Sequence, residues 1–275
     1  MADDVLRYAA FTDRPDGGNP AGVVLDAAGM SDGEMLAIAA ELGYSESAFL
    51  DGDDIRYFSP LAEVPFCGHA TVATAVALAE RDGPGDRVFN TRNGPVPISS
   101  RRDEQGRVTA TLTSVPPEIQ PLAAADLDEI LAALGWARED LDPALPPRVG
   151  FAGVYHPILA SRTRERLAAL DYDYDRLGAL MAARTWTTVQ LVWREAEDRF
   201  HSRNPFPPGG VVEDPATGAA AAALGAYLRE EGLVTPPVTV TILQGHDLGR
   251  PGRLLVEIHA DRPGIDVTGT AVAIG

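Results

Sequence analysis

Cysteine is nearly absent from this chain of 275 residues, where Cys67 stands alone. A single thiol excludes an internal disulfide and any multi-thiolate zinc or iron–sulfur centre. Positive charge is also scarce. Lys and Arg total 23 against 40 Asp and Glu, a net charge of −17. So acidic a surface repels nucleic-acid phosphates and the anionic cytoplasmic leaflet alike. No run of about 18 apolar residues is present, so no segment reads as spanning a bilayer. The start, Met1, Ala2, Asp3 and Asp4, lacks the basic stretch and apolar run of a secretory signal. Nucleic acid and membrane are set aside as partners, and a cytoplasmic location is expected.

Other chemistries lack their usual cradle. There is no G-x-G-x-x-G after a strand, no Walker sequence and no Gly-x-Ser-x-Gly elbow. The five histidines, at 69, 156, 201, 246 and 259, show no ligand spacing, so no metal and no cofactor are expected. What is present is a globular composition, 45% hydrophobic and 23% charged, long enough for one large domain or two ordinary ones. Acid–base chemistry without a cofactor is the class that survives.

Two segments, residues 69–79 and 217–228, read as helices without a polar face. They are rich in Ala, Val and Thr and meet no charge until Glu80 and Arg229. A surface helix carries a charged stripe opposite its apolar one, so each is expected to be enclosed, its small side chains letting a sheet curl close. Their surroundings repeat. Extended stretches at 56–60 and 199–205 precede them; amide–Gly breaks at Asn93-Gly94 and Gln244-Gly245 follow; then come alternating strands at 106–112 and 252–258. Upstream, Asn19-Pro20 and His156-Pro157 each lead into a short apolar strand. Amphipathic helices follow at 31–42, with Ser31 and Glu34 as a capping box, and at 174–184.

The expected fold is α+β. Two pseudo-symmetric lobes each wrap a mostly antiparallel curved sheet or barrel around a central small-residue helix, with the active site at the seam. Residues 1–117 form the first lobe and 118–275 the second, joined through the Pro-rich passage 115–121, with a second Pro-rich patch, 142–147, as a loop. The tail, about 263–275, reads as a strand that can return to the first lobe.

Clefts between lobes are the default pocket, and both helix starts fall at equivalent points of the repeat. A helix start offers free N–H groups and partial positive charge, together an anion site. Gly68, Gly218 and Ala219 let a ligand approach that backbone closely, although Asp214 and Thr217 are equally suited to ordinary capping. Three side chains are placed to move protons. His69 sits in the first turn of its helix, where the dipole favours neutral imidazole. Asp214 occupies the equivalent position of the second copy. Glu46 shares a strand face with Ala48 and Leu50; if that face is the inner one, desolvation raises its pKa toward that of a general base. Cys67, just before a helix start, is either an activated thiol or a small buried side chain. With no second cysteine, a two-thiol racemase is excluded.

Five motifs in chain order carry a resemblance. They are Asp13-Arg14-Pro15-Asp16-Gly17-Gly18-Asn19-Pro20, Ser45-Glu46-Ser47, Glu63-Val64-Pro65-Phe66-Cys67-Gly68-His69-Ala70-Thr71, Glu213-Asp214-Pro215-Ala216-Thr217-Gly218 and Gln244-Gly245-His246-Asp247-Leu248-Gly249-Arg250-Pro251. Together the chain resembles the PhzF-like phenazine-biosynthesis family, of the diaminopimelate-epimerase-like fold. The resemblance implies a cofactor-free isomerase acting as a homodimer on a small carboxylate, its founding reaction being the isomerisation of trans-2,3-dihydro-3-hydroxyanthranilate. It implies Glu46 as the base that moves a proton between two carbons on one face, with His69 and Asp214 flanking the substrate. Gly68, Thr217, Gly218 and Ala219 would hold the carboxylate, and Asn19, Ser45, Gln244 and Gly245 would complete the binding site. Ala219 stands where the family motif commonly has serine, so one hydroxyl is lost there while the backbone N–H remains. Two rival readings stand beside this one: an amino-acid racemase or epimerase pairing Cys67 with Asp214, and a non-catalytic acid-binding protein on the same scaffold.

Overall fold

The structure, a computed structural model, describes residues 5–275; the acidic start Met1–Asp4 lies outside the described residues. Eight strands close into a barrel around the helix Gly68–Asp82. In order they are Leu6–Ala10, Asn19–Val24, Glu46–Asp51, Asp54–Phe58, Asp86–Thr91, Gly94–Arg102, Val108–Thr113 and Ile265–Ala273, the last pairing back onto the first. Neighbours are antiparallel except at two crossovers. One carries the helix Asp32–Leu42, and the other carries the central helix itself.

The second lobe repeats this path. Arg148–Phe151, Tyr155–Ala160, Gln190–Ala196, Arg199–Pro205, Val238–Gln244 and Gly252–Ile258 curl around the helix Gly218–Glu230, with parallel crossovers at the same two places. Glu118–Pro121, within the Pro-rich passage, adds an edge strand beside Arg148–Phe151. Ile265–Ala273 belongs to both sheets: 265–268 pair with the second lobe, 266–270 with Val108–Thr113, and 271–273 with the opening strand.

The central helices are small-residue because the sheets leave no room for more. Every residue from His69 to Ala79 is buried. A Cβ on Gly225, inside the second helix, would stand 2.6 Å from Val256 Cγ1 and 3.0 Å from Ile265 Cγ2. Gly225→Ala would add helix propensity of about 1 kcal/mol but overpack a closed shell at about 1–3 kcal/mol. The expected net is a modest loss, read as a Tm lowered by a few degrees in thermal unfolding. Buried threonines manage without outside partners: Thr71 and Thr74 donate to the carbonyls of Cys67 and Ala70 one turn back.

The capping box of Ser31 and Glu34 is formed, and the helix Tyr174–Arg184 falls at the expected residues. The strand expected from Gly106 begins instead at Val108, because Asp103 accepts from the N–H groups of Gln105 and Arg107 and builds the hairpin turn there. Ala124–Leu134 is a helix for which no expectation was drawn, although its buried Leu127, Ile130, Leu131 and Leu134 follow helical spacing. Among the described residues no helix is long and apolar enough to cross a membrane.

Candidate active site

The two central helices begin against one another. A Cβ on Gly68 would lie 3.5 Å from Gly218 Cα and 3.7 Å from the Ala219 nitrogen, so only glycine permits this approach. Among the described residues, the N–H groups of Gly68, His69, Gly218 and Ala219 have no acceptor within the protein. Thr217 is the N-cap residue, yet its side chain makes no cap bond. Its hydroxyl donates to Asp214 Oδ2 at 2.5 Å, and Gln244 Nε2 donates to that hydroxyl at 3.0 Å. The capping reading therefore fails, and two helix N-termini open on one cleft. No arginine lines that cleft and the chain has no lysine, so backbone dipoles are its source of positive potential.

Glu46, Cys67 and His69 form the first-lobe wall. The chain folds this way because both faces of Glu46–Asp51 are covered: Ala48 and Leu50 pack on the central helix, and Phe49 packs against Met35 and Ala39. Glu46 is 8% exposed, and burial raises its pKa, opposed less strongly by the Ser45 hydroxyl and the Cys67 thiol. The thiol donates toward Glu46 Oε2 at 3.6 Å. Burial, then the Glu46 charge, pushes the thiol well up, so Cys67 is a protonated neighbour and not a thiolate. His69 Nε2 lies 3.7 Å from Glu46 Oε2. Burial pushes the imidazole down to about 3, with the Pro20 carbonyl pulling weakly the other way. The direction is the expected one, and burial is its physical cause. Glu46, Cys67 and His69 offer oxygen, sulfur and nitrogen donors within 4.8 Å of one another, the set through which a divalent metal would bind if one did.

Asp214 forms the facing wall and is 4% exposed. Its pKa rises to about 7, chiefly through burial and then through the charge of Glu46, against hydrogen bonds from Thr217 and Asn19. The sequence reading sets Asp214 equivalent to His69; the strand registers correct this. The short strands Glu63–Val64 and Glu213–Asp214 correspond, as do the N-caps Cys67 and Thr217. Asp214 therefore answers to Val64, and His69 to Ala219. Next to Asp214, the buried Glu213 is paired with Arg203 at 2.6 Å, which fixes this wall.

Glu46, Gly68, His69, Asp214, Thr217, Gly218 and Ala219 line the cleft together. Four other candidates sit one layer behind it. Asn19 bridges the lobes, its amide donating to Asp214 Oδ1 at 2.6 Å and to the Ala216 carbonyl at 3.1 Å, and lying 3.0 Å from His69 Nδ1. Such a donor leaves the lone pair on Nδ1 and the proton on Nε2, toward Glu46. Gln244 braces the same loop: Oε1 accepts from the Thr217 N–H and Nε2 donates to the Asp214 carbonyl. Gly245, at φ 77°, lets that loop close, since a Cβ would lie 2.7 Å from the Pro215 carbonyl oxygen. Ser45 keeps its hydroxyl beside Glu46.

The family model for phenazine biosynthesis-like proteins, PhzC-PhzF, matches residues 8–275. The chain belongs to the PhzF family. It is similar to the uncharacterized isomerase YfhB of Bacillus subtilis, 32% identical over 98% of this chain and 96% of that protein. It is also similar to the trans-2,3-dihydro-3-hydroxyanthranilate isomerase of Pseudomonas aeruginosa, 34% identical over 89% of this chain and 86% of that one. The crystal structure of a PhzF-family protein of Bacillus anthracis matches with a TM-score of 0.87 at 29% identity, covering 98% of this chain and 96% of that chain. A hydroxyproline epimerase from Agrobacterium vitis, 14% identical with a TM-score of 0.64 over 98% of this chain and 89% of that chain, shares the fold.

As a PhzF-family isomerase, the protein has cleft residues that the sequence reading did not assign. Val154, His156, Thr187, Thr188 and Phe206 complete the second-lobe wall, and Phe66 lines the first. The repeat held a signal for one of them. His156-Pro157 stands in the second copy where Asn19-Pro20 stands in the first, so a role for Asn19 pointed to its counterpart.

Proposed function

We propose that this isomerase moves a proton within a small unsaturated or cyclic carboxylic acid, with Glu46 as the base and no cofactor. The observation that carries the reading is the buried carboxylate of Glu46 in one cleft with two uncapped helix starts. The N–H groups of Gly68, His69, Gly218 and Ala219 grip the substrate carboxylate. Glu46 takes a proton from carbon, the electron pair spreads into the conjugated acid, and the proton returns from Glu46 to another carbon on the same face. His69, neutral with its proton on Nε2, and Asp214, half protonated near pH 7, supply hydrogen bonds to the developing charge. The reaction of the Pseudomonas aeruginosa relative, on trans-2,3-dihydro-3-hydroxyanthranilate, is the form of substrate this predicts. Ala219, without the family's hydroxyl, bears on preference more than on the chemistry, since a neutral hydrogen bond contributes about 0.5–1.5 kcal/mol. A homodimer belongs to the same proposal.

The pseudo-symmetry supports one base over two. Inverting a stereocentre through a planar carbanion needs an acid/base group on each face. Here the paired N-caps are Cys67 and Thr217. Glu46 pairs with Ala21, one residue past Pro20, as Gln190 pairs with Ile158, one residue past Pro157. The counterpart of the base is thus an amide. An epimerase reading leans on Cys67, whose thiol is held protonated. Cys67→Ala is expected to keep turnover of trans-2,3-dihydro-3-hydroxyanthranilate within about tenfold of wild type, measured by NMR in D2O alongside deuterium uptake into product. Loss of activity on a par with removing a base, about 10²-fold or more, would transfer the chemistry to the thiol.

A further inference from the structure

Opposite Glu46 the second lobe carries buried polar groups with no partner in the protein. His156 Nε2, both amide atoms of Gln190, both of Asn204, and Ser202 Oγ make no hydrogen bond among the described residues, and these residues are 0–3% exposed. An unpaired buried polar group costs about 1–3 kcal/mol, and native proteins satisfy nearly all of theirs with protein, ligand or ordered water. The residues share a neighbourhood. Ile158 pairs with Gln190, which sets His156 beside Thr188. Leu191 pairs with Arg203, which sets Gln190 opposite Asn204. Val192 pairs with Ser202. Ile158, Ala160 and Val192 of these strands lie in the core around the central helix, so the polar residues two positions away lie on the same inner face. They form the second lobe's counterpart of the Asn19–Glu46 pair.

His156 brings this set to the cleft, which it lines together with Thr188. Its Nδ1 lies 2.9 Å from the Thr188 hydroxyl, and the ring also donates to the Thr188 backbone carbonyl. A carbonyl only accepts, so Nδ1 carries the proton and Nε2 presents a lone pair. Burial holds the ring neutral, pushing its pKa down to about 4.

We propose that His156 Nε2, backed by Gln190 and Asn204, forms a neutral acceptor subsite that recognises a hydroxyl or amino group carried by the substrate beside its carboxylate. The inference rests on the proposed carboxylate cleft and deepens it, naming the substrate class as a hydroxy or amino acid of unsaturated or cyclic type. The first wall, with its backbone N–H groups, reads the anion; the second reads a donor.

Titration calorimetry on the full chain with benzoate, 2-aminobenzoate and 3-hydroxybenzoate tests it, since these share ring and carboxylate and differ by one donor. Wild type is expected to bind at least one of the donor-bearing acids about five- to tenfold more tightly than benzoate, a step of one net hydrogen bond. In His156→Phe the three acids should bind alike, at the benzoate level. His156→Gln, which restores an acceptor and serves where the Phe variant does not fold, should recover part of the preference. Equal binding of all three acids by wild type, or a donor preference that survives in either His156→Phe or, where that fails to fold, His156→Leu, overturns the subsite and leaves the carboxylate cleft standing. Failure of benzoate itself to bind overturns the cleft, and the subsite with it.

Discussion

Replacing Glu46 by Gln is expected to lower isomerisation by about 10²–10⁴-fold, the contribution of a positioned general base, and to abolish deuterium uptake from D2O. The fold should be unchanged by circular dichroism, because the amide has nearly the volume of the carboxylate and remains against the Cys67 thiol. The effect is large because nothing nearby can stand in. Cys67 Sγ is close at 3.6 Å, but burial and the carboxylate keep it protonated. His69 is neutral yet buried among donors: with its pKa near 3 it is too weak a base at neutral pH to collect a proton from carbon. Asp214 titrates near 7, but Asn19 and Thr217 already donate to its two oxygens. A loss smaller than about tenfold, with deuterium still entering product, would move the base to Asp214.

The repeat was legible because its markers are backbone requirements. Enclosed helices must be made of small residues, and turns fall at Gly and Pro whatever else the sequence does. Which way Glu46 faces was not legible, for a physical reason. Alternation identifies an inner face only when the other face meets water, and here residues 46–50 are all buried, since the helix Asp32–Leu42 covers the outside. The convergence of Gly68 on Gly218 followed from matching the helix starts, but the matching itself slipped for Asp214. Counting back from an Ala-rich helix gives no register; the pairing of Glu213–Asp214 with Arg199–Pro205 does. Asn19, Gln244 and Gly245 read as substrate contacts because their motifs lie near the site. Motif proximity does not separate a residue that touches a ligand from one that holds the loop that does. His156 carried a signal through its place in the repeat, whereas Gln190 and Asn204 show nothing in sequence until strand pairing sets them side by side.

A second large effect lies in stability, where the groups that serve the chemistry oppose folding. Asp214→Asn is expected to stabilise the protein relative to wild type by an amount that grows as pH rises from about 4 to about 7. Its folded pKa, about 7, stands above its ordinary 3.8. Between those values the folded chain holds a proton that the unfolded chain has released, so unfolding free energy falls with rising pH. At about 1.4 kcal/mol per unit the window amounts to at most about 4 kcal/mol. Glu46, also raised by burial, acts in the same direction. His69 and His156 act in the opposite one: folded pKa values of about 3 and about 4 against an ordinary 6.5 make stability rise with pH across much of the same range. The wild-type profile therefore conceals the carboxylates, and the difference between variant and wild type reveals them. Urea unfolding at pH 4, 5.5 and 7.5 measures it. At pH 4 the variant should be level with wild type or weaker by about 1 kcal/mol, for the Thr217 hydroxyl loses its acceptor; at pH 7.5 it should be the more stable. In the Glu46→Gln background the gain should shrink, because the Glu46 charge is part of what raises Asp214. A difference that stays flat from pH 4 to 7.5 would mean that Asp214 is ionised throughout, and its role as a proton-bearing group opposite Glu46 would fail.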